Sequence, residues 1–283
     1  MTVQILISTS TRIGWIGTGV MGSPMCGHLL TAGYRMTIHS RTRSKAEPLL
    51  DRGAQWAENP RAVAVESDVL FTMVGFPQDV RSVYFDEIGI LTGARAGMTL
   101  IDMTTTQPSL SRDIAMAASA KGVSAIDAPV SGGDVGAKNA TLSIMIGGDA
   151  QAIETVRPIL EGMGNPERII RIGDSGAGQI CKACNQLVIG GTLAAVGEAF
   201  ALARKSGVDP AKVRAALMGG FAASRVLEVH GQRILDGNFK PGFPARLYRK
   251  DLKIVLEALN EAHAPAPVTA LVQQLLSALL AEG

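Results

Sequence analysis

The residues whose types and spacing could do chemistry fall into three groups: Gly17-x-Gly19-x-x-Gly22, Ser131-Gly132-Gly133, and Lys182. The first group suits an anion. A short apolar run ends in Trp15-Ile16 just before it, and Met25, Leu29 and Leu30 follow at helical spacing. A strand, a tight turn and a helix start in that order hold a dinucleotide pyrophosphate. Gly17 permits the turn, Gly19 lets the backbone approach the phosphates, and Gly22 lets the helix pack closely on the sheet. The unpaired N–H groups of the turn, which also contains Thr18, Val20 and Met21, face the anion together with the positive end of the helix dipole. Glycine is abundant (32 of 283 residues), so the spacing alone is weak; its strand-to-helix context favours a nucleotide site over a plain tight turn.

The end of the next strand separates the two nicotinamide cofactors. Tyr34 to His39 reads as that strand, and a site for NAD usually carries Asp or Glu there to bond the ribose 2′-hydroxyl. This chain has Ser40-Arg41-Thr42-Arg43 instead. A guanidinium at that place pairs with a 2′-phosphate, and Ser40 and Thr42 add hydroxyl donors. The expectation is NADP(H) first and NAD(H) second, with a solvated basic turn as the plain alternative.

Further loops follow strand ends, where an open α/β sheet binds ligands. They are Met73-Val74-Gly75, Asp102-Met103-Thr104-Thr105-Thr106, and Asp127 through Gly133. Ser131-Gly132-Gly133 presents successive backbone N–H groups, a cradle for a carboxylate, although an ordinary glycine-rich loop reads the same. Lys182 lies in Gly176-x-Gly178-x-x-x-Lys182-x-x-Asn185-Gln186. Asn185 and Gln186 share its helix face at i+3 and i+4. A lysine facing inward among apolar neighbours has its pKa pushed toward working pH and exchanges protons with a substrate hydroxyl; one that snorkels to solvent does not. Spacing alone leaves both open.

The elements that must position these residues alternate strand and helix up to about residue 174. Strands are expected at Ala54–Trp56, Asp68–Met73, Thr99–Asp102, Ser124–Asp127, Leu142–Ile146 and Arg168–Ile170, with helices opening near Pro60, Pro77 and Pro108. The expected fold is α/β, a Rossmann-type doubly wound parallel sheet (residues 1–174), followed by an all-α domain (175–283). That second domain opens with a long helix over Gln179–Ser206, roughly 40 Å at 1.5 Å per residue. Asp209-Pro210 caps the next helix, and others follow at about 223–235, 246–262 and 266–281.

Composition narrows the function classes. Apolar residues make up 47% and charged residues 18%, enough for a sizeable core. A net charge of +2 without long like-charge runs gives no footprint for nucleic acid. Three cysteines form no disulfide framework, which fits a reducing cytoplasm. Cys181-x-x-Cys184 lacks companion ligands for zinc, so no metal is expected and both thiols are read as small buried hydrophobes. Val3-Gln4-Ile5-Leu6-Ile7 is too short for a signal peptide and reads as an extension before the first strand. Leu187 to Ala203 is apolar enough for a bilayer but contains Glu198, so it reads as a buried interdomain helix and no membrane partner is expected.

GWIGTGVMGSPM (14–25), IDMTTTQP (101–108), DAPVSGGDVGAKNATLSIMIGG (127–148), GAGQICKACNQ (176–186) and RKDL (249–252) together resemble the β-hydroxyacid dehydrogenase family, in family order over nearly the whole chain. Residues 219–252 are most similar to its tartronate semialdehyde reductases. The resemblance implies that Lys182 is the catalytic acid/base and that Ser131, Gly132 and Gly133 hold the substrate carboxylate. It implies that Asn185 or Gln186 orients the substrate and that Thr105 and Lys250 contact the cofactor. It further implies a small semialdehyde or hydroxyacid substrate and a homodimer or homotetramer packed through the helical domain. Thr104 stands where the family more often has Ser, and the chain stops short of the tail many relatives carry. Imine reductases share the architecture but generally replace the lysine with Asp or Tyr. A nucleotide-binding module without catalysis would be expected to lack Lys182.

Overall fold

The computed structural model describes residues 10–240 and 242–282; the expected extension at Val3–Ile7 lies outside them. Two compact units divide after Lys182. The expected domain boundary at 174/175 marks where the strands end.

Among the described residues of the first unit, nine strands form one sheet. They are β1 (Arg12–Ile16), β2 (Arg35–His39), β3 (Gln55–Trp56), β4 (Val69–Thr72), β5 (Thr99–Asp102), β6 (Ser124–Asp127), β7 (Val130–Ser131), β8 (Leu142–Gly147) and β9 (Gly164–Gly173). Their order is β3-β2-β1-β4-β5-β6-β8-β7, with β9 on β8. From β3 to β6 every pairing is parallel. Such strands are buried on both faces, and β4 and β5 are buried at every position.

Period-two alternation sorts their side chains into two cores. Ile13, Trp15, Val69, Phe71 and Ile101 point into one, beside Met25, Leu29 and Ile153 from covering helices. Ile16, Leu70 and Leu100 point into the other, beside Val63, Tyr84 and Ile114. Helices on both faces make the sheet doubly wound. The chain leaves β1 toward β2 and β3 and then crosses to β4. The crevice where strand order reverses therefore opens at the C-terminal ends of β1 and β4.

Two strands differ from expectation. β7, inside the loop expected after β6, pairs antiparallel with β8 through Val130↔Ile144 and Ser131↔Ser143; two residues are too few to show an alternation. β9 runs well beyond Arg168–Ile170, and most of its side chains are exposed, so no apolar run marks its length.

The long helix runs Ala177–Lys205, and it is followed by helices Pro210–Met218, Arg225–Leu235, Ala245–Glu261 and Pro267–Ala281. Asp209 caps the second of these through the N–H of Ala211. In the second unit, Ala183, Leu252, Val255 and Val272 form one small core, and Val196, Phe200 and Leu227 another. The long helix passes the length and hydropathy test for a membrane crossing. Its expected burial holds on one face only: Ala183, Gln186, Gly190 and Phe200 are buried, whereas Val188 and Leu202 are exposed. Cys184 also lies on an exposed face, so it is not the buried hydrophobe expected, while Cys181 is half-buried. Among the described residues no three His, Cys, Asp or Glu side chains gather as metal ligands.

Candidate active site

The turn after β1 sits at the sheet's crevice. Gly17 has φ +100° and donates its N–H to the His39 carbonyl at 2.9 Å, and a Cβ there would collide with the Met73 carbonyl. Trp15 Nε1 donates to the Gly17 carbonyl at 2.9 Å. Gly22, expected to pack on the sheet, packs chiefly on the turn, since its Cβ would strike the Gly17 carbonyl. Gly19 differs from both: a Cβ there would meet nothing within 4 Å. Thr18 is buried, and its hydroxyl has no hydrogen-bond partner. An open approach to backbone and an unpaired hydroxyl beside a helix N-terminus fit a pyrophosphate. Val20 is exposed and Met21 half-buried.

At the end of β2, Ser40 is buried, Thr42 is exposed, and the Arg41 side chain is 89% exposed, 3.5 Å from Asp79. Asp79 was not among the residues expected here. Its other carboxylate oxygen accepts the Phe76 N–H at 3.0 Å, which fixes it beside Gly75. Arg43 instead lies over the Trp56 ring at 5.2 Å. Met73, Val74 and Gly75 are half-buried beyond β4. The Val74 N–H donates to Thr104 Oγ1 at 3.0 Å, so Thr104 ties this loop to the one after β5.

Two carboxylates stand side by side beneath those loops, Asp102 on β5 opposite Asp127 on β6. Asp102 accepts from Thr72 Oγ1 at 2.7 Å and from the Thr104 N–H at 3.1 Å, while its second oxygen has no partner. Burial pushes its pKa up to about 6 against these hydrogen bonds, and Asp127 adds to the rise. Asp127 takes the opening of the long helix. It accepts the N–H of Gly176 at 2.7 Å and of Gln179 at 3.0 Å. Its pKa is also raised, by burial, against the pull of those N–H groups and that of Gly178. Neither Gly176 nor Gly178 admits a side chain: Gly176 has φ +93°, and a Cβ on Gly178 would lie 2.5 Å from the Met145 carbonyl.

Lys182 sits on the second turn of the helix so anchored, and it is buried (7% exposed). Thr105 is half-buried between two buried threonines. Ser131 is half-buried, and exposed Gly132 and Gly133 have φ +137° and +65°, conformations that favour glycine. All of these belong to the first unit. In the second, Gln186 is engaged at both ends of its amide, donating to Asp251 at 2.6 Å and accepting from Asn185 Nδ2 at 2.7 Å. Lys250 pairs with Asp251 at 3.0 Å, and the Tyr248 hydroxyl donates to the Gln186 carbonyl at 2.8 Å.

Asp127, Gln179 and Asp79 were missed as functional residues. Asp127 stood in a quoted motif at a strand end, which was the available signal; nothing in the spacing pointed to Asp79.

A dinucleotide crevice followed by a helical unit defines an NAD(P)-dependent oxidoreductase, and comparison with known proteins bears this out. A profile described as the NAD binding domain of 6-phosphogluconate dehydrogenase matches residues 12–181. One described as NAD-binding of NADP-dependent 3-hydroxyisobutyrate dehydrogenase matches 176–283. The chain is 46% identical to a probable 3-hydroxyisobutyrate dehydrogenase-like 1, mitochondrial, of Arabidopsis thaliana, over 99% of this chain and 83% of that one. It is 40% identical to the 2-hydroxy-3-oxopropionate reductase of Escherichia coli, over 96% and 92%. The solved Mycobacterium tuberculosis 3-hydroxyisobutyrate dehydrogenase with L-serine superposes with TM-score 0.89 at 31% identity, over 96% of this chain and 94% of that one. The chain belongs to the β-hydroxyacid dehydrogenase family. It is an oxidoreductase that acts on a small-molecule substrate with a nicotinamide dinucleotide.

Proposed function

We propose that this enzyme reduces a short carboxylated aldehyde with NADPH, tartronate semialdehyde before glyoxylate or succinic semialdehyde. The observation that carries the reading is Lys182, a buried lysine on a helix whose first turn is bound to a strand end. The cofactor, when bound, supplies the hydride. Gly17 to Gly22 hold its pyrophosphate, Ser40, Arg41 and Thr42 its 2′-phosphate, and Met73 to Gly75, Thr105 and Lys250 the rest. The turned backbone of Ser131, Gly132 and Gly133 orients the substrate carboxylate through its N–H groups. Protonated Lys182 gives its proton to the developing alkoxide. Asn185 or Gln186, whose side chains are bonded to each other, orients the substrate.

A second reading, a 3-hydroxyisobutyrate-type dehydrogenase using NAD, is favoured by the Arg41–Asp79 pair, because a carboxylate beside Arg41 competes with a 2′-phosphate. Initial rates on a panel of semialdehydes and hydroxyacids, each with both cofactors, separate the two. Arg41→Asp should weaken NADPH use far more than NADH use, and an unchanged preference sinks the NADP assignment. Lys182→Ala should bind NADPH nearly normally yet lose about 10²–10⁴-fold in kcat. Retention of more than about a tenth of wild-type kcat, with chemistry limiting the rate, removes Lys182 as donor.

We also propose a homodimer or homotetramer in the cytoplasm. Val268, Leu271, Leu275 and Leu279 form an exposed apolar stripe on the last helix, each more than half exposed. A second copy of the chain is the occupant this reading assigns to it. Light scattering over a dilution series tests it, and a monomer at micromolar concentration would reject it.

A further inference from the structure

Gln179 is a polar residue only 1% exposed, and hydrogen bonds to the protein take the place of water around its amide. Its side-chain amide is bonded at both ends to backbone more than seventy residues away in the chain. Nε2 donates to the Thr104 carbonyl at 2.8 Å, and Oε1 accepts the Thr106 N–H at 3.0 Å. These two groups flank Thr105. The Gln179 main-chain N–H donates to Asp127 at 3.0 Å. Thr104 in turn holds the Val74 N–H at 3.0 Å, at the edge of the dinucleotide crevice. A continuous chain of hydrogen bonds, buried from Thr104 onward, thus runs from the loop after β4, through the loop after β5, to the first turn of the long helix. Lys182 follows Gln179 by three residues, on the same helix face.

We propose that Gln179 is a positioning residue that fixes the Thr104–Thr106 loop to the helix bearing Lys182, so that the cofactor-side loop and the proton donor keep one mutual geometry. The proposal rests on the reading of Lys182 as donor. A bidentate amide is chemically suited to such a link, because its donor and its acceptor match one carbonyl and one N–H, as a neighbouring strand would. No side chain lacking both functions satisfies both backbone groups, and a shift of about 1 Å at a reacting group costs on the order of 10²-fold in rate.

The test is a double-mutant cycle. Gln179→Met keeps the side-chain volume and removes both bonds; Gln179→Glu keeps the acceptor for Thr106. Each is made alone and with Lys182→Ala, and kcat with NADPH, NADPH affinity by fluorescence titration and the thermal midpoint are measured. Gln179→Met should lower kcat by about 10–100-fold with NADPH affinity within about threefold, and Gln179→Glu should fall between it and wild type. In the Lys182→Ala background the same changes should cost less than about threefold, because no donor remains to be misplaced. Equal losses in both backgrounds, or a kcat for Gln179→Met within about threefold of wild type, overturn the clamp alone. A Lys182→Ala enzyme that keeps its kcat overturns the donor assignment and the clamp with it. Should Gln179→Met fail to fold, the Gln179→Glu cycle is read by the same criteria.

Discussion

The first unit contains two glycine-x-glycine turns leading into helices, Gly17 to Gly19 and Gly176 to Gly178, and they use their glycines oppositely. At the first, a side chain on Gly19 would point into open space, so the helix N-terminus beyond it stays available to an external anion. At the second, a side chain on Gly178 would collide with Met145 and Asp127, and the helix N-terminus already holds the Asp127 carboxylate. One turn keeps its N–H groups for a ligand, and the other consumes them to fasten the helix that bears Lys182. Glycine spacing therefore identifies an anion-binding helix start, while the source of the anion is set by what lies opposite it.

The sharpest way to break this contrast is to add a methyl group at each turn. Gly178→Ala should cost about 3 kcal/mol or more in urea unfolding, since backbone on both sides leaves the methyl no room. Equal tolerance at both turns would end the comparison. Asp127→Asn comes next, at about 2 kcal/mol, because it exchanges charge-assisted bonds to the helix N–H groups for weaker ones and turns a donor toward one of them. Gly19→Ala should leave the unfolding free energy within about 0.5 kcal/mol, yet weaken NADPH about tenfold in a fluorescence titration, roughly 1.4 kcal/mol. Unchanged affinity would mean that no backbone approach occurs there.

The smallest effect concerns Asp102, the neighbour that has no helix start to meet it. Its folded pKa, pushed up to about 6, lies above the ordinary 3.8, so its stabilising contribution is complete below about pH 4 and is lost as pH rises through about 6. Asp102→Asn removes that titration. Relative to wild type it should gain about 1 kcal/mol between pH 4.5 and 5.5, read from thermal melts. A pH-independent difference would show that Asp102 does not titrate in the folded protein over that range.

How far these features were legible in the sequence depended on their range. Gly17, Gly19 and Gly22 announce themselves because turn, strand and helix are contiguous, and the apolar runs of β4 and β5 mark central parallel strands. Asp209 before Pro210 was equally local. Asp127 could be seen at a strand end, but its bond to Gly176 joins residues 49 apart, and nothing local to either names the other. Gln179 was hidden for the same reason, since its partners Thr104 and Thr106 lie 75 and 73 residues away. β7 is a strand only because β8 returns beside it. Exposure was the least legible property: Cys184, Val188 and Leu202 are apolar or small, and only the packed helices decide which face they occupy.

The distance in sequence between Asp127 and the helix that caps it has a consequence for how the protein is made. During synthesis Asp102 and Asp127 leave the ribosome well before Gly176 to Gln179 do, and until those residues emerge Asp127 has no N–H groups of that helix to accept. Burying two adjacent carboxylates without them is costly, so the end of β6 stays hydrated in the growing chain. The C-terminal edge of the sheet therefore closes only when the long helix begins to emerge. A nascent chain stopped just short of Gly176 holds all nine described strands of the sheet and yet lacks the N–H groups that receive the Asp127 carboxylate.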